Sequence, residues 1–313
     1  MKNNILVIKH GALGDIILAG PAMQAIREFH KQDYIVCLTG ETYFDMIKES
    51  PYFDEVIIDL KPKWSNLKGW LNLKILFKEF SFSHVYDLQT SYRSNIYFYL
   101  FFSLSKTIWS GIAYGSKYRH SNSNRKRMHT YDRQKDQLKL CGIEYDCVPN
   151  WNWLSKNYIN KSLLPNRDFA IIITGAAAHR TEKKWPKASY ASLITDLSHK
   201  GIISVLLGSL LEKEYIAEII DMAENIVPDL KPKNYAGKTN FQDIVYLSNF
   251  TKFAIGNDTG PMHLIASTNI RTLVLFGNDS NPKLCAPIGG NVKVIQKKNI
   301  KCIELKEVIK NLL

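Results

Sequence analysis

Short apolar runs typical of buried strands alternate with helix-type segments in both halves of the chain. This alternation constrains the fold more than any other sequence feature, because it calls for parallel sheets with helices on their faces. We therefore predict an α/β fold. The predicted strands are residues 5–8, 34–38, 56–58, 84–88, 169–173, 203–207, 253–255 and 272–276, with an edge strand at 292–295.

The length and one irregular segment indicate two domains. A chain of 313 residues is long for a single compact core. Residues 147–165 lack clean periodicity and carry Pro149, Trp151, Trp153 and Pro165, so we place the linker there. The predicted domains are residues 1–160 and 161–313. A terminal helix at about 303–313 could pack back on the first domain.

The apolar content and the cysteines predict a cytoplasmic protein. No apolar run approaches the roughly 20 residues that a membrane-spanning helix needs, and the first residues show no signal-peptide pattern. The five cysteines form no Cys-x-x-Cys pair. This argues against a zinc site or a disulfide framework, and we expect no metal site and no cofactor.

The charge balance predicts an anionic partner. Forty-one Lys and Arg residues against 29 Asp and Glu residues give a net charge of +12. Nucleic acid, phosphorylated sugars and an acidic membrane surface would all fit this charge. The chain has no RNP, zinc-finger or helix-turn-helix pattern, so nucleic acid is the least favoured of the three.

Two segments concentrate the positive charge. Residues 60–80 carry five lysines and two tryptophans, with no acid between Lys61 and Lys78. Such a segment either lies on an anionic membrane surface or forms a solvated helix face over a core. Residues 119–135 form a basic loop. Most charge runs are solvated, but Arg125 and Arg127 could bind a phosphorylated group bidentately.

A strand, a tight turn and a helix start are predicted at residues 253–266. Asp258 and Thr259 are helix-capping residue types, and Pro261 fits a first helical turn. A helix start of this kind can bind phosphate, although an ordinary β–α turn would look the same. His263 would contact a phosphate or sugar, or pack beneath the turn.

A similar turn follows the first strand, in the stretch Lys9-His-Gly-Ala-Leu-Gly-Asp15. Gly11 and Gly14 suit a turn where another group comes close to the backbone. Neither the dinucleotide fingerprint nor the Walker pattern is present. Asp15 is either a favourable acid in a first turn, worth about 0.3–1 kcal/mol, or a carboxylate at the sheet edge where open α/β proteins bind ligands.

These turns belong to a set of motifs that resembles glycosyltransferase family 9, the ADP-heptose:lipopolysaccharide heptosyltransferases. The motifs occur in the family's order and span almost the whole chain. They are Lys9-His-Gly-Ala-Leu-Gly-Asp15, Asp87-Leu-Gln89, Lys183-Lys-Trp-Pro186, Leu206-Leu-Gly-Ser209 and Gly256-Asn-Asp-Thr-Gly-Pro-Met-His263. The resemblance implies a GT-B fold, in which two Rossmann-like domains with parallel sheets face a central cleft. It also implies inverting transfer without a metal ion.

The resemblance implies roles for individual residues. Asp15 corresponds to the family's general base, Lys183 to its phosphate-binding lysine, and Glu212 to an acid that contacts the nucleotide ribose. The motif implies that a diphosphate is bound by Asp258, Thr259, Gly260 and His263. We also assign Thr174 to the donor side. The acceptor side is assigned Gly11, Gly14, Arg93, Arg125 and Arg127.

The resemblance also predicts the substrates. The donor would be ADP-heptose, and the acceptor a lipopolysaccharide core or related surface glycan, as an anionic glycolipid or a phosphorylated glycan. The protein would then sit in the cytoplasm or peripherally on the cytoplasmic face of the inner membrane.

Gly11-Ala12 replaces the Ser-Ser of some heptosyltransferases, which leaves the identity of the transferred sugar open. The alternatives are a transferase that uses a UDP- or GDP-sugar, and a non-catalytic nucleotide-sugar or anionic-glycan binding protein. Asp15 argues against the latter, since a pure binder needs no base.

Overall fold

The chain divides into two compact units, Met1–Cys147 and Val148–Leu313. The computed structural model describes residues 2–175, 181–228 and 230–312. The predicted boundary at residue 160 is therefore too late in the chain. Residues 148–160 belong to the second unit because their side chains bond within it: Tyr158 donates to Asp243 (2.5 Å), and Asn249 donates to Ser155 (3.2 Å).

The first unit contains a six-stranded parallel sheet in the order β3-β2-β1-β4-β5-β6. Its strands are β1 (Asn4–Ile8), β2 (Tyr34–Thr39), β3 (Glu55–Ile58), β4 (His84–Asp87), β5 (Ile108–Gly111) and β6 (Tyr118–Arg119). Its helices are α1 (Leu13–Phe29), α2 (Phe44–Lys48), α3 (Leu67–Phe80), α4 (Tyr92–Tyr97) and α5 (Thr130–Lys139).

The second unit repeats this architecture, with the strand order β12-β11-β10-β7-β8-β9, again all parallel. Its strands are β7 (Phe169–Ile173), β8 (Ile203–Leu207), β9 (Lys233–Asn234), β10 (Ala254–Asn257), β11 (Thr272–Phe276) and β12 (Val292–Gln296). Its helices are α6 (Lys187–His199), α7 (Lys213–Glu224), α8 (Phe241–Ser248), α9 (Gly260–Ala266), α10 (Pro282–Cys285) and α11 (Leu305–Leu312). The predicted edge strand is confirmed as β12.

Strand β1 shows why the sheet is covered on both faces. Its side chains alternate between the two faces: Ile5 and Val7 pack in one buried cluster, and Leu6 and Ile8 pack in another. The first cluster includes residues of α1, and the second includes residues of α3. A strand with two covered faces is apolar throughout, as is usual for parallel sheets.

The predicted terminal helix is observed as α11. Its Val308 and Leu312 pack in the buried cluster of the second unit. In the first unit, the chain continues beyond the end of α4 at Tyr97 as a π-helical turn, Phe98–Phe102. None of the described helices combines the length and apolarity needed to cross a bilayer.

Candidate active site

The candidate site in the first unit lies where the strand order reverses. β1 and β4 pair directly, with Ile8 opposite Asp87, and the chain continues outward on opposite sides of this pair. Open α/β sheets bind ligands in the crevice at the carboxyl ends of two such strands. The turn that carries Asp15 follows β1, and the motif Asp87-Leu-Gln89 begins at the last residue of β4, so the fold brings two predicted motifs together.

Asp15 is partly buried in the first turn of α1. The following Ile16 and Ile17 are fully buried, so the core fixes the start of this helix. Gly11 has a φ of +143°, and a Cβ atom at this position would lie 2.7 Å from the Tyr43 ring. The turn before Asp15 therefore requires glycine. Gly14 is partly buried in the same helical turn as Asp15.

Lys9 is a buried cation beside Asp15, and the sequence analysis gave it no role. Its side chain is 4% exposed, and its Nζ lies 3.4 Å from the Leu88 carbonyl oxygen. Burial lowers the pKa of Lys9; the charges of Asp15 and Asp87 oppose this shift, and those of Arg133 and Arg125 add to it. Lysine is rarely buried without charge partners, and here the partners include the predicted base.

Asp87 is fully buried at the end of β4. Burial raises the pKa of Asp87 to about 6, although hydrogen bonds from Thr90 and Ser94 and the charge of Lys9 oppose the shift. The Thr90 amide donates to Asp87 Oδ1 at 2.8 Å. Thr90 has a φ of +46°, which is unusual for a β-branched residue. The Asp87 carboxyl group therefore holds a strained turn at the sheet edge.

Arg125 reaches the same turn from the basic loop. Its guanidinium donates to Thr90 Oγ1 (2.7 Å) and to His120 Nδ1 (3.0 Å). Because Nδ1 accepts, the His120 proton is on Nε2, which lies 2.8 Å from Asp136 Oδ2. Burial lowers the pKa of His120, and Arg125 and Arg133 add to this effect while Asp136 opposes it. His120 is therefore the neutral partner, and its Nδ1 holds Arg125 by accepting a hydrogen bond from the guanidinium.

The other two arginines predicted for the acceptor side are placed differently. The Arg93 guanidinium lies over the Trp70 ring, 5.6 Å from its centroid, and donates to the Pro62 carbonyl oxygen at 3.2 Å. Arg127 is exposed in the short helical turn Arg125–Arg127. The structure thus brings Arg125 to the Asp87 turn, while Arg93 packs on Trp70 and Arg127 faces solvent.

The second unit has its own switch point, between the paired strands β7 and β10. Asn257, at the end of β10, is fully buried and joins the surrounding segments. Its side-chain oxygen accepts from the Trp185 amide (3.1 Å) and the Tyr190 hydroxyl (2.9 Å). Its side-chain nitrogen donates to the Thr174 and Gly175 carbonyl oxygens (2.8 and 3.1 Å). Asn257 therefore fixes the edge of the site, a role that sequence analysis missed.

Lys183 and Asp258 form a largely buried ion pair. Lys183 Nζ lies 2.6 Å from Asp258 Oδ2, and the two side chains are 11% and 9% exposed. Ser280 donates to the same oxygen at 2.6 Å, and His263 Nε2 lies 4.0 Å from Oδ1. Asp258 therefore holds the lysine in place. Ser280 was not predicted, since it lies in a loop far along the chain.

The turn between Asp258 and α9 has the predicted form. Thr259 is the N-cap residue of α9, Gly260 is its first residue, and Pro261 lies in its first turn. Thr259 Oγ1 is buried and has no hydrogen-bond partner among the described residues. The same holds for Thr174 Oγ1 at the end of β7. Residues 176–180, which follow Gly175, lie outside the described residues.

A cavity of about 610 Å³ opens beside this turn within the second unit. Its lining includes Thr259 and Gly260 of the turn, and also Glu212. Glu212 Oε2 accepts from the amide and the hydroxyl of Ser209, each at 2.8 Å. The rest of the lining includes Ile173, Gly175, Lys184, Leu207, Gly208, Leu211, Thr239, Phe241, Ile244 and Pro261.

Gly175 leaves room for the Glu212 carboxylate. A Cβ atom at this position would lie 1.5 Å from Glu212 Oε1. The glycine therefore permits the carboxylate to lie against the end of β7. Among the described residues, no group of three or more His, Cys, Asp or Glu side chains is arranged to hold a metal ion.

Residues 71–312 match the model of glycosyltransferase family 9 (heptosyltransferase). The chain belongs to glycosyltransferase family 9. This confirms the resemblance inferred from the motifs and identifies the protein as a glycosyltransferase. The family 9 chain is 23% identical over 308 residues to lipopolysaccharide core heptosyltransferase OpsX of Haemophilus influenzae, covering 95% of this chain and 85% of OpsX.

Solved structures show the same fold as the family 9 chain. E. coli ADP-heptose lps heptosyltransferase II aligns with a TM-score of 0.78 at 20% identity, covering 100% of this chain and 97% of that protein. E. coli heptosyltransferase WaaC, solved with ADP, aligns with a TM-score of 0.71 at 17% identity, covering 99% and 100%. The predicted GT-B fold class is confirmed.

Proposed function

We propose that the protein transfers a heptose from ADP-heptose to a lipopolysaccharide core or a related surface glycan, with inversion and without a metal ion. Membership in the heptosyltransferase family supports the reaction class. The name of OpsX supports a lipopolysaccharide core acceptor, and the WaaC complex supports an adenine nucleotide. The observation that carries the proposal is the second-unit cavity, whose lining combines the Glu212 carboxylate with the Thr259 turn.

The cavity fits a nucleotide in size and in polarity. Pockets for small molecules measure about 300–1,000 Å³ and combine apolar walls with a few polar groups. Glu212 is an acceptor for ribose hydroxyls, while Leu211 and Ile244 offer apolar surface to a base. In this assignment the diphosphate lies beside Thr259, whose buried hydroxyl can donate to it.

Lys183 supplies the main charge for the leaving diphosphate. A hydrogen bond from a charged group contributes about 1.5–3 kcal/mol, whereas a helix start contributes about 0.3–1 kcal/mol. Helix α9 has only seven residues, which favours the lysine further. An ammonium group has three donors, so Lys183 can bind phosphate while Asp258 holds it. Asp258 then positions the lysine and does not itself contact the phosphate.

Asp15 is the group in the first unit that fits a general base. Its carboxylate is close enough to the buried Lys9 to oppose the lowering of that lysine's pKa by burial. It can take the proton from an acceptor hydroxyl as that oxygen attacks the anomeric carbon. Attack on the side opposite the leaving diphosphate gives inversion.

The acceptor is proposed to be an anionic glycolipid. Arg125, held by Thr90 and His120, offers the same edge of the sheet a guanidinium group suited to phosphate or carboxylate. A lipid-bound acceptor would bring the protein to the cytoplasmic face of the inner membrane as a peripheral protein.

A thermal-shift panel with ADP, UDP, GDP and CMP tests the donor assignment. A ligand that binds only the folded state stabilises it by about 2.7 kcal/mol at 100 times its Kd. We expect ADP to raise the Tm most. A larger shift with UDP or GDP would favour the alternative donor. A shift with ADP but no turnover with any acceptor would favour a binding protein.

Gly175→Ala tests whether Glu212 lines the nucleotide site. The added methyl group must displace the Glu212 carboxylate, whose nearest oxygen would lie 1.5 Å away. Because the displaced group is the end of a long side chain and not backbone, we expect the Tm to fall only slightly, whereas the affinity for ADP should fall clearly in calorimetry. Ser209→Ala, which removes one hydrogen bond without moving Glu212, is the control and should have a smaller effect. Unchanged affinity in Gly175→Ala would remove Glu212 from the site.

A further inference from the structure

The first unit exposes a surface that is both apolar and basic. We call it the docking face and define it as residues 60–64, the exposed side of α3, and the turn at residues 99–104. Large apolar side chains are rarely exposed in such numbers on one part of a protein unless they have a partner. Its exposed apolar residues are Leu60, Trp64, Leu67, Leu71, Ile75, Tyr99, Leu100 and Leu104.

Helix α3 has two apolar sides, and only one of them is used in the core. Leu73 and Phe77 are buried against the sheet. On the opposite side, Leu67, Leu71 and Ile75 follow one another at intervals of four residues and therefore form one line. Leu67 is 79% exposed. Beside this line lie the exposed lysines Lys68, Lys74 and Lys78.

The turn at residues 99–104 continues the same surface. The Phe77 ring centroid lies 5.3 Å from that of Phe101, so the turn packs directly beside α3. Lys74, Lys78 and Leu100 line one common cavity of about 590 Å³. Lys74 and Lys78 thus lie on the side of α3 that faces the exposed Leu100.

The docking face begins at the sheet edge that carries Asp15. Residues 60–64 follow the carboxyl end of β3, and the preceding Asp59 is buried. Asp59 Oδ2 lies 2.8 Å from His10 Nε2, in the turn that leads to Asp15. Burial raises the pKa of Asp59, but hydrogen bonds from His10 and Tyr97 outweigh it and lower that pKa below its usual value. The contact between Asp59 and His10 thus joins the start of the docking face to the turn that precedes Asp15.

We propose that the docking face lies on an anionic phospholipid surface, with its apolar side chains between the headgroups and its lysines on the lipid phosphates. This deepens the proposed function, on which it rests, because it would place Asp15 near the sugar of a lipid-anchored acceptor. A helix with lysines beside leucines and nearby tryptophan is typical of interfacial helices. Lysine stems can lie along an apolar layer while their charges reach the phosphates.

The composition of the face favours a membrane over a protein partner. Lysine is depleted in protein–protein interfaces, yet lysines flank every exposed apolar residue of α3. No acid occurs between Lys61 and Lys78. Anionic lipids attract a run of basic residues at close range.

Vesicle co-sedimentation of the full chain tests the proposal. Vesicles of phosphatidylethanolamine with phosphatidylglycerol should bind the protein at low salt, and neutral phosphatidylcholine vesicles should not.

Three triple variants test which side chains bind the vesicles. The variant Leu67→Ser, Leu71→Ser, Ile75→Ser should bind at least about tenfold more weakly. The variant Lys68→Gln, Lys74→Gln, Lys78→Gln should lose most of the salt-sensitive binding. The control Leu140→Ser, Ile159→Ser, Ile226→Ser removes three other exposed apolar side chains and should bind like the wild type.

The outcomes separate this proposal from the proposed function. ADP release with a deacylated, water-soluble acceptor should be unchanged in the serine variant, which also shows that the variant folds. Wild-type turnover without binding to anionic vesicles would overturn the docking face and leave the transferase function intact. Equal vesicle binding by wild type and serine variant would overturn it as well. A third outcome is that the wild type self-associates but does not bind vesicles, and that the serine variant no longer self-associates. This outcome would assign the face to a second copy of the chain.

Discussion

Asp15→Asn is expected to lower kcat by about 10²- to 10⁴-fold, the usual contribution of a general base. The amide has the size of the carboxylate but cannot accept the proton of the attacking hydroxyl. Binding of ADP should not change, because the nucleotide cavity lies within the second unit. Steady-state kinetics with saturating donor, together with calorimetry of ADP binding, measure both quantities.

Asp45→Asn is the matched control, since Asp45 is also an acid in the first turn of a helix of the first unit. It loses the same favourable interaction with the helix dipole, about 0.3–1 kcal/mol, and should turn over like the wild type. A wild-type rate in Asp15→Asn would end the general-base assignment. Equal losses in both variants would show that Asp15 only stabilises its helix.

Lys183→Ala is expected to weaken ADP binding by roughly 10- to 150-fold, which corresponds to the loss of a hydrogen bond from a charged donor. The loss should lie toward the upper end because Asp258 then keeps its charge beside the phosphate without its cation. Calorimetry with ADP and with adenosine measures the effect. Adenosine has no phosphate, so its affinity should change little.

Two variants control for the loss of a lysine. Lys187→Ala removes a nearby lysine that pairs with Glu218 and lies over the Tyr215 ring, and should bind ADP normally. Lys183→Arg keeps the charge and should restore part of the affinity. If Lys183→Ala bound ADP as tightly as the wild type, the lysine would serve only to neutralise Asp258.

The sequence predicted the local features of the fold well. A short apolar run followed by glycine and a helix-capping residue specifies a strand, a turn and a helix start without help from distant residues. The two turns that carry Asp15 and Thr259 therefore lie where they were predicted, at the ends of β1 and β10. Helix α8 shows the same local control, since Asn240 and Asp243 open it with reciprocal hydrogen bonds.

The strands that sequence analysis missed are short and weakly patterned. β6 and β9 have two residues each, and β5 ends in Ser110 and Gly111. Their strand conformation comes from pairing with a neighbouring strand that is already in place, such as β4 for β5. Local sequence carries little trace of such pairing.

The missing parts of the candidate site depend on long-range contacts. Ser280 reaches Asp258, and Asn257 binds residues of two separate segments. His120 acts on Arg125, which in turn reaches Thr90, 35 positions earlier in the chain. Such partners are set by the strand order and not by local pattern. Lys9 was detectable, because a lysine that directly follows a buried strand begins at the carboxyl edge of the sheet.

The most direct test of the account is the release of ADP when the protein is incubated with ADP-heptose and a soluble lipopolysaccharide core acceptor. The account predicts that ADP appears in step with a glycan that has gained one heptose of inverted anomeric configuration, and that Asp15→Asn stops both. The account would be contradicted if ADP bound but was never released as product. It would also be contradicted by turnover with a UDP- or GDP-sugar in place of ADP-heptose.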